Sequence, residues 1–307
     1  MEPEVVLSVR DLRIGFAGVE VVRGVSFEVR AGEVCALVGE SGAGKSLTAR
    51  ALPGMLPREA AVSGTVRPDL SGARGRRIAL VPQDALSALS PVHRVGDQLA
   101  AAVRSVRRVG RREALDLAGA ALDRVGIPGT ARRYPHELSG GMRQRAVIAM
   151  ATVNEPDILV ADEPTTALDA DRRERVLALL AAQRESRGTA LVLVTHDLDA
   201  VRRHADRMLV MYAGRVVEAG PAREVLARPR SPYTAGLLAS LPRPDGPRRL
   251  FALPGAPPLP GALPPGCAFA PRCPLASRVC PREEPPEHEG NGRLVACHHP
   301  APAGEPG

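Results

Sequence analysis

Eight consecutive residues, Gly39-Glu40-Ser41-Gly42-Ala43-Gly44-Lys45-Ser46, fit the spacing G-x-x-x-x-G-K-[ST] and directly follow the apolar run Val34–Val38. Glycines at this spacing let successive backbone N–H groups curl around phosphate oxygens, at the positive end of the helix that starts there. Lys45 would reach the β- and γ-phosphates, Ser46 would hold Mg²⁺, and Leu47 continues the binding segment into the helix. Lys45 is also the one lysine among 41 basic residues, so a compact ammonium stands where this chemistry wants it and arginine is used everywhere else. A second apolar run, Ile158–Ala161, ends in Asp162 and Glu163. Asp162 is placed to hold Mg²⁺ through water, and Glu163 to polarise the water that attacks the γ-phosphate. Gln83, just after Ile78–Val81, would touch Mg²⁺ or that water. His196 closes the run Ala190–Thr195, where a neutral imidazole can hydrogen-bond the γ-phosphate. Ser139, Gly140 and Gly141, inside Leu138-Ser-Gly-Gly-Met-Arg-Gln-Arg145, open a further helix and make a second anion cradle. One chain already has its phosphate loop, so the second cradle makes sense facing the nucleotide of a partner subunit.

The elements that must position these groups follow from periodicity. Val34–Val38, Ile78–Val81, Ile158–Ala161 and Ala190–Thr195 are apolar throughout, as strands of a parallel sheet covered on both faces should be. Helical patterns are expected at about 45–55, 97–125, 141–153, 168–187 and 197–204, the second stopped by Gly126 and Pro128. Met211–Glu218 predicts a hairpin turning at Ala213-Gly214. The fold class is therefore α/β, with a mostly helical insert between the strands ending near 81 and beginning near 158. Proline changes this texture abruptly: 17 of 30 lie in residues 241–307, which predicts a packed domain over 1–240 and a loop-rich extension beyond it.

Composition excludes several other classes. Forty-four per cent apolar and 24 per cent charged residues describe an ordinary globular chain rather than a disordered one. No run approaches the roughly 18 apolar residues of a membrane span. The start, Met1–Arg10, lacks the basic segment and apolar core of a signal peptide, so a cytoplasmic chain is expected. The net charge of +7 comes from arginines spread along the whole length, and with no Trp and three Tyr there is little to stack on bases. Nucleic acid is not an expected partner.

Taken in order across residues 1–220, these six segments resemble the ATP-binding cassette (ABC) ATPases. The resemblance implies a P-loop nucleotide triphosphatase core with a helical subdomain at about 85–148. It also implies a head-to-tail pair of cassettes that sandwiches two ATP molecules, with Mg²⁺, between phosphate loop and signature of opposite subunits. Phe16 becomes the candidate for stacking on adenine, and Asp169, in Leu168-Asp169, joins the nucleotide-binding set. Tyr134–Arg145, Ala161–Asp169 and Val210–Gly214 resemble more closely the ATPases of dipeptide and oligopeptide importers, as does Ser231-Pro-Tyr-Thr234 leading into a Cys- and Pro-rich tail. That likeness implies a nucleotide-binding subunit on the cytoplasmic face of the plasma membrane. Its implied partners are a second homologous or identical ATPase subunit, two transmembrane permease subunits and, indirectly, an extracytoplasmic solute-binding protein. Two departures bear on partner and solute. Ser231 stands where the subgroup usually has His, and Asp84-Ala-Leu-Ser87 where it usually has Asp-Pro-Met-Thr. An importer of another solute, such as a nickel complex, uses the same cassette. A soluble ABC protein acting on ribosomes or DNA would usually carry two cassettes or long coiled coils.

The extension holds four of the five cysteines, Cys267, Cys273, Cys280 and Cys297, separated by 5, 6 and 16 residues. Structural disulfides are not expected in a cytoplasmic chain, and four thiolates suit zinc or an iron–sulfur cluster. The absence of a C-x-x-C pair speaks against a zinc finger, and the spacing departs from the short-spaced ferredoxin runs. Some peptide-importer ATPases carry a [4Fe–4S] cluster in similar tails, and Gly266-Cys-Ala-Phe-Ala-Pro-Arg-Cys273 resembles their motif. His298 and His299 adjoin Cys297 and read first as exposed tail histidines, with substitute ligation the alternative; Cys35 is a core residue of its strand.

Overall fold

The computed structural model describes residues 3–165, 170–240 and 253–302. Two long strands, β1 (Val5–Phe16) and β2 (Val19–Arg30), pair antiparallel through a two-residue turn. Both alternate inward apolar residues with exposed polar ones, which leaves one face for a core. They lead into β3 (Val34–Val38), α1 (Lys45–Ala51), β4 (Ala61–Arg67) and β5 (Ile78–Val81). Four helices follow: α2 (Ala85–Ala88), α3 (Val95–Val106), α4 (Arg111–Arg124) and α5 (Gly140–Thr152). The chain then alternates through β6 (Ile158–Asp162), α6 (Ala170–Arg187), β7 (Ala190–Val194), α7 (Leu198–His204), β8 (Arg207–Tyr212) and β9 (Arg215–Pro221). Two short helices, α8 (Ala222–Ala227) and α9 (Pro232–Ala239), precede the extension, whose described part ends in the hairpin β10 (Glu287–Gly290) and β11 (Arg293–Ala296).

The main sheet runs β10-β11-β9-β8-β3-β7-β6-β5, with β8, β3, β7, β6 and β5 mutually parallel. Every residue of β3, β6 and β7 is buried, as continuous apolar strands in a doubly covered sheet must be. On one face Val81, Leu159 and Leu193 pack with α3, α4, α5 and α6; on the other, Leu37, Val160 and Val192 pack against the small antiparallel sheet β2-β1-β4.

Two expectations need correction. The helical stretch expected over 97–125 is two helices, broken at 107–110. Arg107 is extended and Gly110 caps α4, so the chain folds back and both helices turn their small apolar residues, Leu99, Val103, Ala114 and Ala118, inward. One straight helix would have left half of those residues in water. The helix expected over 45–55 also stops earlier, at Ala51. The hairpin at Ala213-Gly214 forms as expected, both turn residues taking positive φ (45° and 82°).

The extension shows a feature that composition concealed. Leu294 and Val295 of β11 pair with Ala219 and Glu218 of β9, so the tail adds two strands to the main sheet. Glu218 is buried and accepts from the backbone N–H of Arg230 and Ser231 and from Arg293 Nη2 at 2.6 Å. Among the described residues no helix is long and apolar enough to cross a membrane.

Candidate functional site

The phosphate-loop segment, the two carboxylates, Gln83 and His196 all emerge at the carboxyl ends of parallel strands β3, β6, β5 and β7, the edge where open α/β sheets place their ligands. β3 feeds the loop directly. At Gly39 (φ 149°) a Cβ would lie 2.1 Å from the Met211 carbonyl oxygen, so only glycine lets the loop leave the sheet this close to β8. Gly42 (φ 81°) has open space where a side chain would stand, which leaves that side of the loop clear for a ligand. From behind, Gly214 N–H donates to Ala43 O at 3.2 Å, so the β8–β9 turn braces the loop.

Lys45 is buried, and its Nζ donates to Gly39 O at 2.8 Å and Glu40 O at 2.9 Å. Burial pushes its pKa down, countered by the negative charges of Glu163, Asp162 and Glu40. Ser46 Oγ donates to Asp162 Oδ1 at 2.7 Å. The other carboxylate oxygen, Asp162 Oδ2, is buried with no hydrogen-bond donor among the described residues, and Arg50 Nε lies 3.6 Å away. Desolvation pushes the Asp162 carboxyl above the ordinary carboxylate range, with the Ser46 hydroxyl opposing it. A buried oxygen lacking a donor, one carboxylate away from a serine hydroxyl, is an all-oxygen donor set of the kind Mg²⁺ takes. The pair therefore fits the cation that the phosphate loop implies.

Next to this pair, Glu163 sits at φ 47°, its N–H donating to Val194 O, which swings its side chain off the strand end. Gln83 Nε2 donates to Glu163 Oε2 at 3.3 Å, and His196 Nδ1 lies 3.5 Å from the same oxygen. The His196 side chain is 66% exposed, whereas that of Glu163 is 17% exposed. Two groups able to orient a water, Gln83 and His196, thus meet at the Glu163 carboxylate. Asp197, the next residue, caps α7 by accepting from the N–H groups of Asp199 and Ala200.

Ser139 is the N-cap of α5, its Oγ accepting from Met142 N–H at 3.3 Å, with exposed Gly140 beside it and Gly141 completing the first turn. Ser139, Gly141, Arg145, Arg172 and Arg175 line a cavity of about 230 Å³. Burial pushes the Arg145 pKa down, and the neighbouring Arg175 and Arg172 push it the same way, the signature of a place that favours an anion. Phe16 ends β1, half-buried against the apolar cluster that also contains Ala43. Asp169 and Leu168 lie outside the described residues.

All four cysteines of the extension line one apolar cavity of about 50 Å³, together with Tyr212, Tyr233, Phe269, His298 and His299. Cys267, Cys273 and Cys297 have raised pKa values, first from burial and further from the neighbouring thiols. Among the described residues no three His, Cys, Asp or Glu side chains converge closely enough to hold a single metal ion. Sequence reasoning passed over Arg272, which reaches from this region to Glu40 of the phosphate loop. The signal was present, since Arg272 is the one charged residue in the apolar stretch Gly266–Cys273.

Two segments of the chain match families of known proteins. Residues 22–166 match the family model described as "ABC transporter", and residues 217–280 match "Oligopeptide/dipeptide transporter, C-terminal region". The chain is 48% identical over 273 residues to the oligopeptide transport ATP-binding protein OppD of Mycobacterium bovis, which covers 82% of this chain and 45% of that protein. The chain therefore spans about half the length of that relative. It is 43% identical to a probable peptide ABC transporter ATP-binding protein of Sinorhizobium fredii, covering 96% of this chain and 95% of the relative. With OppD of Escherichia coli it is 40% identical, over 97% and 94% of the two chains. Among solved structures, cbiO1 from Clostridium perfringens, part of the transporter complex cbiONQ, is similar at a TM-score of 0.64 and 28% identity, covering 73% of this chain and 91% of that one. The ATP-binding cassette MJ0796, solved as a dimer with ADP and Pi, gives a TM-score of 0.63 at 25% identity over 71% and 99%.

Proposed function

Since the chain belongs to the ATP-binding proteins of ABC transporters, we propose that it is an ATP hydrolase, the subunit whose ATP cycle drives uptake of dipeptides or oligopeptides. The observation that carries the chemistry is the meeting of Ser46, Asp162 and the Gln83–Glu163–His196 group at adjacent strand ends. The peptide solute is supported by the family match over residues 217–280 and by the names of the relatives.

The catalytic roles rest on the same geometry. Mg²⁺, held by Ser46 and by Asp162 with Gln83 beside it, would supply counter-charge to the phosphate oxygens. The loop from Gly39 to Leu47 wraps the phosphates with backbone N–H groups, and Lys45 turns its ammonium from the loop carbonyls towards the β- and γ-phosphates. Glu163 Oε2 accepts a hydrogen bond from the attacking water and fixes its approach. Gln83 and His196 orient that carboxylate and the γ-phosphate. Phe16 stacks on the base, and Asp169 belongs to the nucleotide-binding set by resemblance alone. Ser139, Gly140, Gly141 and the arginine-lined cavity face outward as the anion cradle for the nucleotide of a second cassette. Closure of that pair encloses the water-orienting group and excludes solvent.

The subunit would work at the cytoplasmic face of the plasma membrane beside two permease subunits, with a helical subdomain near 85–148 transmitting closure. The Cys- and Pro-rich extension would hold a [4Fe–4S] cluster. The support is four cysteines around one apolar cavity, a donor set that suits a cluster. Iron and labile sulfide near four each per chain in anaerobically purified protein would support this, and their absence would remove it.

The transport role is tested in cells expressing the Lys45→Ala chain in place of the native one. Loss of labelled dipeptide and oligopeptide uptake with unchanged nickel uptake is expected. Intact peptide uptake with loss of nickel accumulation would overturn the peptide reading in favour of a metal-complex importer.

A further inference from the structure

The extension reaches the phosphate loop through one side chain. Arg272 lies in the 3₁₀ turn Ala270–Arg272, one residue before Cys273, and its side chain is 5% exposed. Its guanidinium grips Glu40 with both arms, Nη1 to Oε2 at 2.6 Å and Nη2 to Oε1 at 2.9 Å, across 232 residues of sequence. Its Nε donates to Pro254 O at 2.7 Å and Nη1 also donates to Tyr212 Oη at 3.2 Å, so the fork itself is held on the side away from the loop. Glu40 is anchored a second time, its N–H donating to Tyr233 Oη at 2.9 Å. Tyr212, Tyr233 and Phe269 form a ring cluster with centroids 4.5–5.4 Å apart, which keeps both hydroxyls aimed at this point. The Glu40 carbonyl in turn accepts from Lys45 Nζ.

Two physical consequences follow. A carboxylate in a loop that must receive a polyphosphate repels its ligand unless neutralised, and a bidentate guanidinium neutralises it with fixed geometry. Holding Glu40 by side chain and backbone also fixes the first turn of the loop before nucleotide arrives, which lowers the ordering cost of binding. We propose that Arg272 is a positioning residue for nucleotide binding, through which the C-terminal extension sets the affinity of the phosphate loop by neutralising and orienting Glu40. This inference rests on the reading of residues 39–46 as the ATP phosphate site.

The test is a cycle of full-length variants, with equilibrium binding of MgADP and steady-state ATP hydrolysis measured on each. Arg272→Ala is expected to weaken MgADP binding about tenfold and to raise KM for ATP by the same factor, with kcat changed far less. Adding Glu40→Gln to Arg272→Ala removes the stranded charge and is expected to recover most of that loss. Arg272→Lys, which keeps charge without the fork, is expected to fall between wild type and Arg272→Ala. A brace that served folding alone would give a lower Tm with wild-type affinity in the folded protein, and no recovery in the double variant. Either result would overturn the proposal. Should Arg272→Ala not fold, the comparison of Arg272→Lys with Arg272→Lys/Glu40→Gln decides on the same readout. Lys45→Ala separates the premise: loss of MgADP binding there with wild-type affinity in Arg272→Ala sinks this inference alone. Retained binding in Lys45→Ala sinks the phosphate-loop reading beneath it.

Discussion

The two halves of the candidate site differ in how finished they are. The half proposed to hold the cation is buried and tight: Asp162 is fully enclosed, Ser46 bonds to it at 2.7 Å, and Lys45 is already inside its loop. The half proposed to orient the water is open and loose, with 3.3 and 3.5 Å separations at Glu163 and an imidazole two-thirds exposed. Catalytic hydrogen bonds that are long in a free enzyme tighten when the reactive complex forms. On the proposed function, the contrast is that of a chain able to bind nucleotide alone and completed for hydrolysis by something that closes over its exposed half. The arginine-lined cradle at Ser139 is the surface such a partner copy would supply.

The largest expected effect separates the halves cleanly. Glu163→Gln should retain MgATP affinity within about threefold while kcat falls about 10²–10⁴-fold, the range for losing a positioned general base. Single-turnover hydrolysis and equilibrium ATP binding check it, and unchanged turnover would remove Glu163 from the mechanism. Asp162→Asn acts on the other half and should weaken Mg²⁺ about 10–100-fold, as for groups that hold a metal's water shell.

The same residue gives a pH signature. Its carboxyl is raised by desolvation, so between the unfolded aspartate value, about 3.9, and its higher native value the folded state holds the extra proton. Its contribution to stability therefore falls as pH rises through that window. Mg²⁺ binds the ionised form, so apparent Mg²⁺ affinity should weaken as pH drops through the same window, and Asp162→Asn should abolish both trends. Isothermal titration with Mg²⁺ and thermal melts across pH would show it.

His196→Ala should cost about tenfold in kcat, one hydrogen bond's worth, with little change in nucleotide affinity. An equal loss in affinity would place His196 in the tight half instead. The smallest effect is structural. Tyr233→Phe removes the acceptor of the Glu40 N–H and should lower stability by about 1 kcal/mol, a Tm decrease of roughly 2–4 °C.

Much of the site was legible before any coordinates because its determinants are local. The phosphate loop is eight contiguous residues, and the strand-end carboxylates announce themselves by an apolar run that stops in charge. The broken helix at 107–110 was not legible, because Arg-Arg-Val-Gly continues a helical pattern until two faces must be buried at once. Nor were the strands of the extension: Glu287-His-Glu-Gly290 is exposed and charged, and becomes a strand only because Arg293–Ala296 offers it an edge.

By itself the sequence determined which candidate groups stand at which strand ends, since backbone conformation within a few residues suffices to aim them. Tertiary structure alone decided what those groups feel. Asp162 becomes a raised, half-satisfied carboxylate because three layers close around β6. Glu40 becomes a neutralised one because a ring cluster brings Arg272 back from 232 residues away. Burial and long-range pairing depend on which surfaces meet, and no spacing along the chain specifies that.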